Sequence, residues 1–258
     1  MITKYIDFKK YSSIKVGQKE KVFILESIED FDDDFFVIGG ANNILISPNP
    51  PRLAKLDKSF DYIKLTNDTL IVGAATLGSK LYNFAKRYNL SGFEMLSKIP
   101  GQMGGIVKMN AGLKEYEISK NILWVNTSKS SFTKNECNFK YRNTAIKGLI
   151  YEIVFKRVEG FSKDLSRYLE TLRKNQPKEP SCGSFFKNPK GDYAARLIEK
   201  VGLKGYRVGN MAWSDKHANF LVNLGDGKFD EAYKLIDLAK NRVYEEFGIN
   251  LESEVVIL

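Results

Sequence analysis

Histidine is all but missing from this chain: His217 is the single one in 258 residues, and cysteine is nearly as scarce, with Cys137 and Cys182 far apart. Without Cys and His at ligand spacing the sequence offers no zinc site, and no metal is expected. A Ser-His-acid hydrolase built on Ser184 and His217 stays open by counting alone, yet neither residue lies in a Gly-x-Ser-x-Gly elbow. No apolar run approaches the roughly 18 residues that a bilayer span needs, so no membrane insertion is expected. The opening Met1-Ile2-Thr3-Lys4-Tyr5-Ile6-Asp7 lacks an apolar signal core and a small-residue cleavage site, and the expectation is a cytoplasmic chain. Two familiar nucleotide loops are absent as well. Gly225-Asp226-Gly227-Lys228-Phe229-Asp230 starts like a dinucleotide fingerprint but has Asp230 in place of the third glycine. The 73–80 stretch spaces two glycines like a phosphate loop, yet Ser79 precedes Lys80 and reverses the required order.

What is present is an ordinary globular composition, 43% hydrophobic and 28% charged, long enough for one large domain or two small ones. The net charge is +9. Lys and Arg are scattered among acidic residues rather than gathered in a stripe, so nucleic acid is not an expected partner. The excess fits either an attractive field for a polyanionic small substrate, such as a nucleotide diphosphate, or a merely Lys-rich chain. Composition does not choose between them, and it says nothing of oligomeric state.

Short runs of β-formers bounded by turn residues predict strands over 36–39, 44–47, 62–65, 70–73 and 149–158. Helical spacing predicts a helix over 77–88, capped by Thr76 and stopped by Asn89. Two more follow over 163–175 with Ser162 as cap and over 193–201 with Asp192 as cap. Phe229, Ala232, Leu235, Ile236, Ala239, Val243 and Phe247 lie on one face of a longer fourth. The class is α+β. The clearest boundary is 173–180, where Pro177 and Pro180 interrupt the helical period.

Three segments carry chemistry. In Pro180-Ser181-Cys182-Gly183-Ser184-Phe185-Phe186-Lys187-Asn188-Pro189 a hydroxyl sits between a flexible glycine and a cation and amide. It reads as a reactive turn or as a hairpin with both phenylalanines in the core. Gly39-Gly40-Ala41-Asn42-Asn43 follows a strand, and its backbone N–H groups, helped by the asparagine amides, suit an anion such as pyrophosphate. Ile99-Pro100-Gly101-Gln102-Met103-Gly104-Gly105, leading into Met109-Asn110-Ala111-Gly112, is a small-residue surface against which a flat ligand can lie. Each segment alone is equally well a turn that needs positive φ.

Taken in order with Tyr141-Arg142-Asn143-Thr144, His217-Ala218-Asn219-Phe220 and Leu251-Glu252-Ser253-Glu254-Val255, these segments resemble the UDP-N-acetylenolpyruvoylglucosamine reductases nearly end to end, Tyr11 to Gly17 included. The resemblance implies a two-lobed FAD-binding domain of the vanillyl-alcohol oxidase type plus a smaller α+β substrate-binding domain. The expected boundaries are 1–55 and 56–172 for the flavin lobes, with the second completed by the final strand 249–258, and 173–248 for the substrate domain. It implies tightly bound FAD held by Gly39, Gly40, Ala41, Asn42, Asn43, Pro100, Gly101, Gly104, Gly105 and Asn110, with NADPH as co-substrate. Hydride would pass from NADPH to the flavin N5 and then to C3 of an enolpyruvyl group on UDP-N-acetylglucosamine, with protonation at C2, giving UDP-N-acetylmuramate for peptidoglycan. Ser184 matches the family's proton donor, Arg142 the cation where negative charge develops, and Glu254 the remaining active-site position. Asn188 matches a substrate contact. Lys187 is assigned to substrate from its charge.

The chain departs from the family pattern at Ala41 and Asn42, at Leu113-Lys114-Glu115 and at Cys182, whose thiol is either an oxidation liability or a small buried side chain. The short span from Arg142 to Ser184 resembles the compact subtype. Two other readings stand beside this one: another FAD-dependent oxidoreductase on the same scaffold, and a non-catalytic basic nucleotide-binding protein.

Overall fold

Period-2 burial turns the middle of the chain into an antiparallel sheet. Thr69–Gly73 buries Leu70 and Val72, and Ile150–Lys156 sets Phe155 opposite Leu70 and Ile153 opposite Val72. The computed structural model describes residues 1–258. It orders this sheet as Ser131–Thr133, Ile122–Thr127, Ile150–Lys156, Thr69–Gly73 and Ile63–Leu65. Nearby in sequence, Val22 to Leu25 and Phe36–Val37 run parallel to Leu53–Leu56 on either side of it. Helices Gly78–Arg87, Met103–Lys108 and Lys163–Thr171 complete a compact unit of residues 1–4, 21–40 and 52–174. Its core includes Leu81, Ala85 and an edge-to-face pair, Phe93 and Phe155, with centroids 5.2 Å apart.

The second unit comprises residues 5–20, 41–51 and 175–258. Its antiparallel sheet runs Ser181–Ser184, Phe220–Asn223, Met211–Trp213, Arg207–Val208. Phe220–Asn223 is buried at every position, as befits a central strand covered on both faces. Helix Phe229–Phe247 lays Ala232, Leu235, Ile236, Ala239 and Val243 into the core. It ends at Gly248 in the left-handed region, with the Gly248 N–H on the Tyr244 carbonyl. The fully buried Trp213 touches the rings of Phe185 and Phe186 and donates its indole N–H to the Leu235 carbonyl at 3.3 Å.

Several local expectations are corrected. Thr76 does not cap the helix at 78; its hydroxyl donates to the Tyr62 carbonyl at 3.1 Å instead. Ser162 does cap, accepting from Leu165 N–H at 3.1 Å, but the helix stops at Thr171 rather than 175. The Arg173 and Lys174 amides fall back to i−3 bonds there, and the Arg173 guanidinium is drawn to the Lys98 carbonyl. The next helix begins at Ala194, with Asp192 holding Arg196 and the Tyr193 N–H. The final strand, expected to complete the 56–172 lobe, pairs instead in parallel with Ile44–Leu45, Val256 beside Ile44 and Ile257 beside Leu45. The Ser47 and Leu258 amides extend that pairing at 2.6 and 3.0 Å.

Asn223, 3% exposed, ties the second unit together. Its Nδ2 donates to the Ile14 and Lys15 carbonyls at 3.0 and 3.2 Å, and its Oδ1 accepts from Gly225 and Gly227 at 2.9 Å each. Asn223→Ala leaves those groups without their partner and is expected to lower unfolding free energy by about 2–4 kcal/mol, read from urea denaturation. Burial pushes the Cys137 thiol up to about 11 and the Cys182 thiol up to about 12. Cys182 Sγ donates to the Ile44 carbonyl at 3.1 Å. Cys182 is thus the small buried side chain of the two readings. Neither thiol should react with an aromatic disulfide reagent at about pH 8 before unfolding; rapid labelling of the native protein would contradict this burial.

Candidate active site

Ser184 owes its setting to an irregular strand edge. Ser181 pairs with Val222 and Ser184 with Phe220, so the Ser181–Ser184 strand fits one more residue than its partner between the two contacts. Gly183 sits in that bulge with φ +82°, where a Cβ would strain the backbone although nothing lies within 4 Å of it. A bulge of this kind re-aims the following side chain. Phe185 and Phe186 then fasten the turn to Trp213, as the core reading of these rings expects.

Beyond Ser184 the chain is laced on two sides. The Phe185 N–H donates to the Asn219 carbonyl at 2.7 Å. The buried Asn219 side chain takes the Phe186 N–H on Oδ1 at 2.9 Å and gives Nδ2 to the Phe186 carbonyl at 2.8 Å. From the other side the Phe185 carbonyl accepts the N–H groups of Glu254 and Val255 at 2.8 and 3.3 Å, and the Lys187 N–H reaches the Glu252 carbonyl at 2.9 Å. Ser184 and Glu254 are therefore brought into one backbone lattice. Asn43 joins it: its Nδ2 donates to the Glu254 carbonyl at 2.9 Å and its own carbonyl accepts from Val256 at 3.1 Å.

The amides of Asn42 and Asn43 were expected to help an anion, and the structure engages both elsewhere. Asn42 donates to Ser13 Oγ at 2.6 Å, and the Ser13 N–H bonds the Ala41 carbonyl at 3.1 Å. Ala41 accepts φ +49° despite its Cβ. Asn188 Oδ1 caps the Ala194 N–H at 3.1 Å, and Lys187 Nζ lies 3.4 Å from the exposed Glu252 carboxylate, a weak pair that a stronger anion can displace. His217 closes its own turn, with Nδ1 accepting from Asn219 N–H at 3.3 Å and its ring against Phe220. Burial lowers its basicity.

In the first unit Arg142 stands on the turn Lys140 to Asn143, closed by reciprocal backbone bonds of 2.9 and 3.1 Å, with φ +54°. Its Nη2 donates to the Gly112 carbonyl at 3.3 Å. Burial and the nearby Arg142 guanidinium both depress Arg173. This second cation is unmarked by any motif in the sequence. Gly101 through Gly104 is stitched to 74–78 by Gly78 N–H to Gly101 O at 2.9 Å, Met103 N–H to Thr76 O at 2.8 Å and Gly104 N–H to Ala74 O at 2.9 Å. Pro100 enters that stitched stretch, and Gly39 lies beside the Gln102 side chain.

The small-residue surface fits the flavin that the sequence implies. A carbon added at the exposed Gly105 would meet nothing within 4 Å, which leaves room for a flat ligand at the backbone. Asn110 is fully buried, and its Oδ1 has no hydrogen-bond partner, leaving an acceptor for a ligand N–H. No helix is long and apolar enough to cross a membrane.

Residues 176–258 match the family model described as the UDP-N-acetylenolpyruvoylglucosamine reductase C-terminal domain. The reductase of Campylobacter jejuni (strain RM1221) is 48% identical over 98% of this chain and 99% of its own length. That of Helicobacter pylori (strain J99 / ATCC 700824) is 43% identical over the full length of both. The crystal structure of UDP-N-acetylenolpyruvylglucosamine reductase from Thermus caldophilus superposes with a TM-score of 0.86 at 31% identity, over 100% of this chain and 99% of that one. With an architecture and a sequence shared from end to end, the chain belongs to the UDP-N-acetylenolpyruvoylglucosamine reductase family.

Proposed function

We propose that the site carries out the reaction for which the family is named, reduction of the enolpyruvyl ether of UDP-N-acetylglucosamine to UDP-N-acetylmuramate, the peptidoglycan precursor. The observation that carries this reading is the backbone lattice holding Ser184 and Glu254 on adjoining segments, a donor and a carboxylate fixed together as C2 protonation requires. The chemistry that FAD would supply when bound is hydride transfer from NADPH to C3 of the enol ether. The residues that would hold it are Gly39 to Asn43, Pro100, Gly101, Gly104, Gly105 and Asn110, on flavin lobes spanning 1–55 and 56–172. The substrate domain would span 173–248.

Hydride arrival at C3 places negative charge on C2 and its carboxylate. Arg142, with Arg173 adding positive potential from nearby, binds that carboxylate and lowers the energy of the charge as it forms. Ser184 gives its hydroxyl proton to C2. A serine is a weak acid, so its contribution rests on alignment, and the Gly183 bulge with the Phe185–Phe186 anchor supplies it. Glu254 orients the acceptor side of this transfer. Lys187 exchanges Glu252 for a substrate oxyanion, while Asn188 meets the substrate from the helix it caps.

Ser184→Ala protein should bind FAD and be bleached by NADPH at the parent rate. Recovery of its colour with enolpyruvyl-UDP-N-acetylglucosamine should slow by roughly a hundredfold or more. Recovery at the parent rate would remove Ser184 as the donor. Asn219→Ala, which releases Phe186 on both sides, should slow the same recovery by about tenfold and leave bleaching intact; stopped-flow absorbance separates the two phases.

A further inference from the structure

Arg142 holds φ +54° as the third residue of the turn 140–143, a position that calls for positive φ in one common turn type. The turn is closed by the Lys140 and Asn143 backbone groups. Beside it lies the hairpin that pairs Gly112 with Glu117 and Leu113 with Tyr116. A Cβ on Gly112 would lie 2.4 Å from the Tyr116 carbonyl oxygen, so the two strands meet at contact distance. Just before this hairpin stands Asn110, fully buried, with Nδ2 donating to Glu117 Oε2 at 2.8 Å and to the Lys140 carbonyl at 3.2 Å. The same hairpin offers the Gly112 carbonyl to the Arg142 guanidinium at 3.3 Å. Beyond the turn, Thr144 Oγ1 donates to the Lys108 carbonyl at 3.3 Å. The turn is thus gripped at its first residue, at the arginine head and just past its end.

We propose that Asn110, oriented by the Glu117 carboxylate, is a positioning residue for Arg142: its amide nitrogen fixes the Lys140 carbonyl and thereby sets where the guanidinium meets the substrate carboxylate. Glu117 fixes which way the Asn110 amide faces, because a carboxylate accepts only from the nitrogen end. Neither residue needs to touch the substrate. The Asn110 Oδ1, unpartnered, remains separate from this task, so any cofactor contact it makes is distinguishable by experiment. The inference rests on the role of Arg142 given above.

The test uses holoenzyme carrying Asn110→Ala, Glu117→Ala or Glu117→Gln, with Arg142→Ala and the Glu117→Ala/Arg142→Ala double variant as references. Four quantities are read: flavin per chain, bleaching by NADPH, colour recovery with the enolpyruvyl substrate, and calorimetric affinity of the oxidised protein for that substrate. Glu117→Ala should keep bleaching, slow recovery by roughly tenfold or more and weaken substrate affinity; Asn110→Ala should slow recovery per bound flavin by at least as much. Glu117→Gln, which retains an oxygen at the same reach, should restore recovery to within about twofold of the parent. The double variant should be no slower than Arg142→Ala alone, since both changes remove one interaction. Flavin loss from the Glu117→Ala protein with normal recovery per bound flavin would make the Asn110–Glu117 pair a cofactor support and overturn the proposal, as would additive losses in the double variant or a Gln variant as slow as the Ala one. An impaired Arg142→Ala protein beside an unimpaired Glu117→Ala protein fails the positioning claim alone. An unimpaired Arg142→Ala protein fails the reading of Arg142 and the proposal with it. Should Asn110→Ala not fold, the Glu117 pair decides the matter.

Discussion

The carbonyl of Phe185 is the point on which the second unit's chemistry turns. It accepts the amides of Glu254 and Val255, while the amide of the same residue bonds Asn219. With its N–H and its carbonyl both engaged, Phe185 cannot shift without breaking bonds to segments from two distant parts of the chain. Side chains that follow Ser184 go into the core against Trp213, so rotation of the peptide would also cost buried aromatic contact. The setting of the Ser184 hydroxyl is thereby built from backbone bonds and ring packing, neither of which titrates.

The first unit solves a different problem, the presentation of positive charge. Of the many Lys and Arg residues behind a net charge of +9, most lie on solvated surfaces, where a single charge counts for little. Arg142 and Arg173 are set apart by closeness to each other and by partial burial. Backbone carbonyls, Gly112 for Arg142 and Lys98 for Arg173, accept from the two guanidiniums.

Local periodicity carried much of the fold into view. The face of Phe229–Phe247 and the inward positions of Thr69–Gly73 and Ile150–Lys156 follow from spacing alone, because burial of one face is a repeating constraint. Site motifs were legible as an ordered set, where each alone read equally well as a turn. What the sequence hid were the partners of polar side chains. Thr76 looks like a cap until Tyr62 offers a nearer carbonyl, and nothing local shows that the Asn42 and Asn43 side chains reach Ser13 and Glu254. Asn223 and Asn219 carry no local signal at all, since the groups they serve stand far away in sequence. Hydrogen-bond partners are chosen by the tertiary fold, and a one-dimensional pattern does not encode that choice.

The pairing of the last strand with Ile44–Leu45 has a bearing on how the molecule is made. Asn43 and Glu254 stand 211 positions apart, so the strand that joins their segments cannot pair until all the chain between them has been made. Contacts of such long sequence separation form late and slowly. While that intervening chain is made, residues 41–51 lack the strand that pairs with them, and apolar side chains such as Ile44, Leu45 and Ile46, buried in the folded protein, stay exposed. A nascent chain with such unpaired strand edges and apolar surface is prone to association until the pairing forms.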